Sequence, residues 1–213
     1  SGRNGGQIIG GIGHDPERFE RHIGSDGVAR IYHLGVEARD IIRERVEKYA
    51  IDCDLKWGYC DVALKPRHLS QFAEWKAHEE QIGNPHRYRL LDREELREYV
   101  CSDAYLGGLY NDGNGHLHPL NLCLGEARAA AALGTRIYEQ SRAVGLEQGD
   151  RPRVRTERGS VSARRVVLCG NAYLGNLVPR LASRILPSVS AIIATEPLRE
   201  EHARALIDRK SVV

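Results

Sequence analysis

Between residues 26 and 49 the apolar positions Val28, Ile31, Leu34, Ala38, Ile41, Ile42, Val46 and Tyr49 recur three or four residues apart, with Arg and Glu between them. That spacing predicts a long amphipathic helix. Ahead of it, Asp15-Pro16-Glu17 supplies a capping Asp and a Pro at the first helical position, and predicts a short helix ending near Ile23-Gly24. LKWGYCDVAL, residues 55–64, mixes aromatic and β-branched residues with alternating polarity and reads as a strand closed by Lys65-Pro66. Helical spacing returns over 67–82, and DREELREY, 92–99, reads as a short capped helix. Residues 104–118 read as a strand followed by a glycine-rich turn. Pro119 then opens an Ala-rich helix that runs to Ala132 and stops at Gly134. Strands are expected at 135–144, 154–156, 161–163, 165–169 and 187–198, with a last helix over 199–207. The mixed order of elements makes the chain α+β.

Composition narrows this picture. The chain has 213 residues and 41% hydrophobic content, enough for one large domain or two small ones. Lys and Arg total 31 against 29 Asp and Glu, and they are dispersed, so the net charge of +2 gives no case for nucleic acid. No apolar run reaches the roughly eighteen residues that span a bilayer, and the start lacks the basic-then-apolar order of a signal peptide. A cytoplasmic location with no membrane partner is the expectation. Cys53, Cys60, Cys101, Cys123 and Cys169 include no CxxC pair and are expected to be reduced, mostly buried thiols. The absence of Met from all 213 residues, with Ser as the first residue, reads as an internal piece of a longer protein.

The candidate chemistry is sparse. Gly11-Ile12-Gly13-His14-Asp15-Pro16 begins like a dinucleotide fingerprint but has Pro16 where the third glycine belongs, and only Gln7-Ile8-Ile9 as a preceding strand. Arg3-Asn4-Gly5-Gly6 is of another kind: glycines without Cβ let a backbone approach a flat ring, while Arg and Asn offer donors. A flexible terminal remnant is the alternative. His116 and His118, in GHLHP, could share one face of an extended segment as metal ligands, or could serve as a turn with a histidine capping the Pro119 helix. No further ligand stands nearby, so no metal is expected. VVLCGNAY, residues 166–173, is a short apolar run entering Gly170-Asn171, either a core strand with its turn or a strand running into a ligand-facing turn.

Taken together, SGRNGGQ, GHLHPLNLCLGEARAAAALGTRIYEQSRAV, GSVSARRVVLCGNAYLG and IIATEPL occur in the order in which similar segments occur in the D-amino-acid oxidase-like superfamily of FAD-dependent amine and amino-acid oxidases, which includes glycine and sarcosine oxidases. The SGRNGGQ form resembles its gamma-glutamylputrescine oxidoreductase branch. The resemblance implies the middle portion of a two-domain flavoenzyme without its N-terminal βαβ unit. Residues 1–54 and 118–180 would belong to the FAD-binding domain, 55–117 and 181–213 to the substrate-binding domain. It implies that Ser1, Arg3, Asn4, Gly5, Gly6 and Gln7 run along the pyrophosphate, ribityl and ring edge of FAD. It further implies that the backbone of Val144 meets the adenine and that Gly170 and Asn171 turn close to the cofactor. The implied reaction passes hydride from the α-carbon of a small-molecule amine to flavin N5, gives an imine that water hydrolyses, and reduces O2 to peroxide. Arg3 would stabilise negative charge on the reduced ring. The resemblance leaves open the catalytic side chains, the amine, the oligomeric state, and the alternatives of a dehydrogenase with another electron acceptor or a catalytically silent substrate-binding piece.

Overall fold

The computed structural model of the chain describes residues 4–13, 16–188, 191, 193 and 196–207. It forms a mixed α/β chain of two compact units, Ser1–Leu133 with Ala194–Val213, and Gly134–Ile193.

In the first unit the long periodic stretch folds as helix α1, Glu20–Lys48, entered through a 3-10 turn at Pro16–Phe19. The expected break near Gly24 is present inside α1, where Gly24 adopts φ 71° and ψ 170°, a conformation that only glycine reaches cheaply. One stripe of α1 turns inward: Ile42, Val46 and Tyr49 pack against Ile8, Ile51, Cys53 and Leu117. Leu34 and Ile41, from the same periodic set, stay exposed.

Four strands make the sheet of this unit: β1 (Gln7–Ile8), β2 (Lys56–Val62), β3 (Tyr88–Leu91) and β4 (Gly108–His116). All pair antiparallel with β4. β2 follows one edge of β4, while β3 and β1 share the other, at Tyr88↔Asn111 to Leu91↔Gly108 and at Gln7↔His116 with Ile8↔Gly115. Helix α2 (Pro66–Gln81) connects β2 to β3. The short helix α3 (Arg93–Leu96) is capped as DREE predicts: the Asp92 carboxylate accepts from the Glu94 and Glu95 amides, and Glu95 accepts from the Asp92 amide. Cys60, Leu91, Leu96, Tyr99 and Val100 form a second buried cluster. Helix α4 (Pro119–Ala132) has His118 as its cap, with Nδ1 accepting from the Asn121 amide at 3.2 Å.

The glycine-rich half of 104–118 is not a turn but the body of β4. A Cβ on Gly113 would strike the His86 ring, and one on Gly115 the Lys56 carbonyl, so these glycines make room for neighbours rather than reverse the chain. β3 itself was not expected; its four residues are too few to show an alternating pattern. The cysteines also differ from expectation, since all five are free but only Cys53 and Cys60 are buried. Burial, aided by Asp61, pushes the Cys60 thiol up to about 12, which makes it inert.

The second unit is an antiparallel meander of β5 (Ala143–Glu147), β6 (Arg153–Thr156) and β7 (Gly159–Ser162), followed by a 3-10 turn at Asn171–Leu177 and helix α5 (Pro179–Ala182). The strand expected over 135–144 starts only at Ala143, because Gln140 takes a left-handed φ of 50° and turns the chain first. The run at 165–169 is not a strand: it pairs with no strand among the described residues, and Val167 is 82% exposed. Of the strand expected over 187–198, positions 189, 190, 192, 194 and 195 lie outside the described residues, and the described positions are in no strand. Helix α6 (Glu200–Leu206), in the first unit, matches the expected last helix, and an antiparallel bridge joins Val100 to Ile207. Among the described residues no helix is long and apolar enough to cross a membrane.

Candidate functional site

The segment entering β1 is shaped by its own sequence. Asn4 Oδ1 accepts from the Gly6 amide at 2.8 Å, the local turn that an Asx side chain offers its backbone. Gly6 follows with φ 73°, and a Cβ there would collide with the Leu117 carbonyl. The Gly6 carbonyl accepts from the Leu117 amide at 2.9 Å. Gly5 is exposed, with open space beside it, and Gln7 is exposed on β1. Asn4, Gly5, Gly6 and Gln7 are thus held in one short, backbone-anchored loop. Ser1 and Arg3 lie outside the described residues.

This loop borders a cavity of about 330 Å³ whose wall includes Asn4, Gly6, Ile8, Arg39, Leu117 and Cys123. One of its lining residues, Arg39, belongs to a buried polar network that the sequence did not announce. Arg39, 4% exposed on α1, donates from Nη1 to Asn114 Oδ1 at 2.7 Å, and the same oxygen accepts from the Gly10 amide at 3.1 Å. The Asn114 amide donates to Asn111 Oδ1 at 2.8 Å. The Tyr88 hydroxyl bonds to both Arg39 and Glu79, and burial followed by the Glu79 charge pushes it up to about 12. Glu79 is 7% exposed, and its two oxygens accept from Trp75 Nε1 at 3.0 Å and Asn84 Nδ2 at 2.6 Å. The only trace of this network in the sequence is an Arg inside an apolar helical stripe and two Asn inside a strand.

Val144, Gly170 and Asn171 belong to the second unit. Val144 is exposed at a register shift in β5, between Ala143 and Gly145. Asn171 takes a left-handed φ of 47°, and its Oδ1 accepts from the Ala172 amide at 2.7 Å. Strand β5 packs on the 3-10 turn that Asn171 begins. The two histidines of GHLHP part company: His118 caps α4, while His116 stands in β4 with a buried Nδ1 that has no hydrogen-bond partner. Burial, with Lys56 beside it, holds the His116 ring below the usual imidazole range and therefore neutral. Among the described residues no three His, Cys, Asp or Glu side chains converge as metal ligands. Asp61, on β2, is a further group the sequence did not single out. Burial alone pushes its carboxyl up to about 6, the kind of perturbation that marks functional positions as well as structural ones.

Residues 1–212 match the family of FAD-dependent oxidoreductases called DAO. The gamma-glutamylputrescine oxidoreductase of Escherichia coli (strain K12) is 40% identical over 214 residues, covering 100% of this chain and 50% of that protein. A probable oxidoreductase OrdL of Haemophilus influenzae is 37% identical, over 98% of this chain and 49% of its own length. This chain therefore spans about half the length of the curated relatives it matches. Among solved structures, glycine oxidase from Geobacillus kaustophilus superposes with a TM-score of 0.66 at 21% identity, over 85% of this chain and 48% of that one. An L-amino acid deaminase from Proteus vulgaris does so with a TM-score of 0.66 at 24% identity, over 84% and 45%. The order of segments, the fold and the match over 1–212 agree, and the chain belongs to the DAO family of FAD-dependent oxidoreductases.

Proposed function

We propose that this chain is part of a flavoenzyme that oxidises a primary or secondary amine, either an amino acid or a compound like gamma-glutamylputrescine, and returns the electrons to O2. The observation that carries this reading is the loop Asn4 to Gln7, whose Asn4, Gly6 and Gln7 line a cavity of about 330 Å³. The missing Cβ at Gly6 lets the loop close on the Leu117 carbonyl, which sets the backbone wall that a flat heterocycle would meet. Bound FAD supplies the hydride acceptor. Asn4 spends its carbonyl oxygen on the Gly6 amide, which fixes the loop before any ligand arrives, and Gln7 offers a side-chain amide from the exposed side of β1. Ile8, Leu117 and Cys123 give the cavity an apolar side that sheds water. Val144, Gly170 and Asn171 would serve the adenine end and Arg3 the charge of the reduced ring. In this reading 1–54 and 118–180 belong with the cofactor, and 55–117 and 181–213 with the amine.

The test uses the protein made from its full coding sequence. Gamma-glutamylputrescine, glycine, sarcosine and D-amino acids are added without air while the flavin absorbance is followed, and peroxide is then measured in air. Bleaching by at least one amine, with peroxide on aeration, is expected. Bleaching without peroxide turns the reading to a dehydrogenase, and a flavin that no amine bleaches overturns amine oxidation. Gly6→Ala is expected to lower flavin content at least about tenfold, since the added Cβ meets the Leu117 carbonyl and the left-handed φ is strained as well.

A further inference from the structure

We propose that Arg39 is a positioning residue for this loop. It holds the register of β1 through Gly10 and Asn114, and so sets where Asn4, Gly5 and Gly6 present their backbone. The proposal rests on the flavin reading above.

β1 has two residues, with Ile8 buried and Gln7 exposed. A slip of one position would exchange them, and a strand this short has little ladder with which to resist. Before β1, the Leu117 amide binds the Gly6 carbonyl. After β1 the ladder stops, and the next anchor is the Gly10 amide on Asn114 Oδ1. Arg39 Nη1 donates to that same oxygen and orients it. The guanidinium also lies directly against Gly10: a Cβ there would be 3.0 Å from Cζ. One turn earlier on α1, a Cβ on Gly35 would be 2.7 Å from the Gly11 amide nitrogen. Segment 9–11 is therefore seated on α1 at two points, and Arg39 is the polar one.

A charge at this depth needs a reason. Packing alone would be served more cheaply by an apolar side chain, because an arginine that is 4% exposed has lost its hydration. What an apolar residue cannot do is reach a loop and a neighbouring strand together. The planar fork meets Asn114 on one side and the Tyr88 hydroxyl on the other, and that hydroxyl also bonds to Glu79. A lysine has a single point of charge and cannot span both.

In the full-length protein, Arg39→Lys removes the planar fork and Gly10→Ala sets a Cβ 3.0 Å from the guanidinium carbon, and the thermal midpoint of each apoprotein tells whether it folds. Both variants are expected to bind FAD about tenfold more weakly by fluorescence titration, which for Arg39→Lys is what losing one hydrogen bond to a charged group is worth. The amide hydrogen at position 10 should also exchange at least about tenfold faster in both. Adding Asn4→Ala should cost less affinity in the Arg39→Lys background than in the parent, since the two act on one loop. Folded variants that bind FAD within about twofold of the parent, or strict additivity with Asn4→Ala, overturn the proposal. A parent that binds no FAD overturns the flavin reading instead. Amide exchange then tests the clamp by itself, and an unchanged Gly10 rate in Arg39→Lys refutes it.

Discussion

The two units each contain an antiparallel sheet, of four strands in the first and three in the second, yet the sheets are specified in different ways. In the first unit β4 is enclosed: Leu109 and Asn111 are completely buried, and two apolar clusters form around the sheet. In the second unit none of the described residues is buried. β7 is exposed along its whole length. Around Glu147 the charges meet as exposed pairs, Arg155 at 3.2 Å and Arg153 at 4.0 Å, and pairs of that kind contribute little. The meander is held instead by strand pairing and by its turn, where Thr156 Oγ1 bonds the Gly159 carbonyl and the Arg158 amide. Burial defines one unit, and local chemistry the other.

Substitutions can break or sharpen that contrast. The largest effect is expected for Leu109→Ala, which leaves a cavity in a site with no exposed surface; a loss of about 3 kcal/mol in denaturant unfolding follows. A loss below about 1 kcal/mol would mean that the first unit is not packed as described. Asp61→Asn comes next and depends on pH. Burial favours the neutral carboxyl and raises its folded value to about 6 from an ordinary 3.8. That contribution is complete below the ordinary value and is lost as pH rises through 6. At pH 8 the variant should therefore exceed the parent by roughly 2 kcal/mol, while at pH 3.5 the two should agree. A pH-independent difference would rule out titration of Asp61 as its source. The smallest effect belongs to Val161→Ser on β7, within about 0.5 kcal/mol by the same unfolding measurement. A cost well above 1 kcal/mol would show that something covers this sheet in solution.

The same contrast explains what could be read from the sequence. Helices α1, α2 and α4 announce themselves by their periodic residues, and Asp92 and His118 cap α3 and α4 where their positions predict. The Asn4-Gly5-Gly6 turn was not singled out, although it depends only on neighbours two residues apart. Strand β4 was misread because its glycines answer to His86 and Lys56, which are remote in sequence. The apolar run at 165–169 was misread because apolar residues alone do not make a strand: the run pairs with no described strand, and Val167 is exposed. Arg39 was invisible because its partners come from a loop, strands β3 and β4 and helix α2, and no local pattern unites them.

The brevity of β1 also constrains how this region can vary. Leu117 holds Gly6 on one side and Asn114 holds Gly10 on the other, so three residues must bridge two fixed points. Exchanges at the exposed Ile9 can be absorbed. Insertion or deletion of even one residue cannot, because it would turn Ile8 out of its cluster or tear the chain from an anchor. Between Gly6 and Gly10 the protein is strict about count even where, as at the exposed Ile9, it is lenient about identity, which is the reverse of what surface segments usually permit.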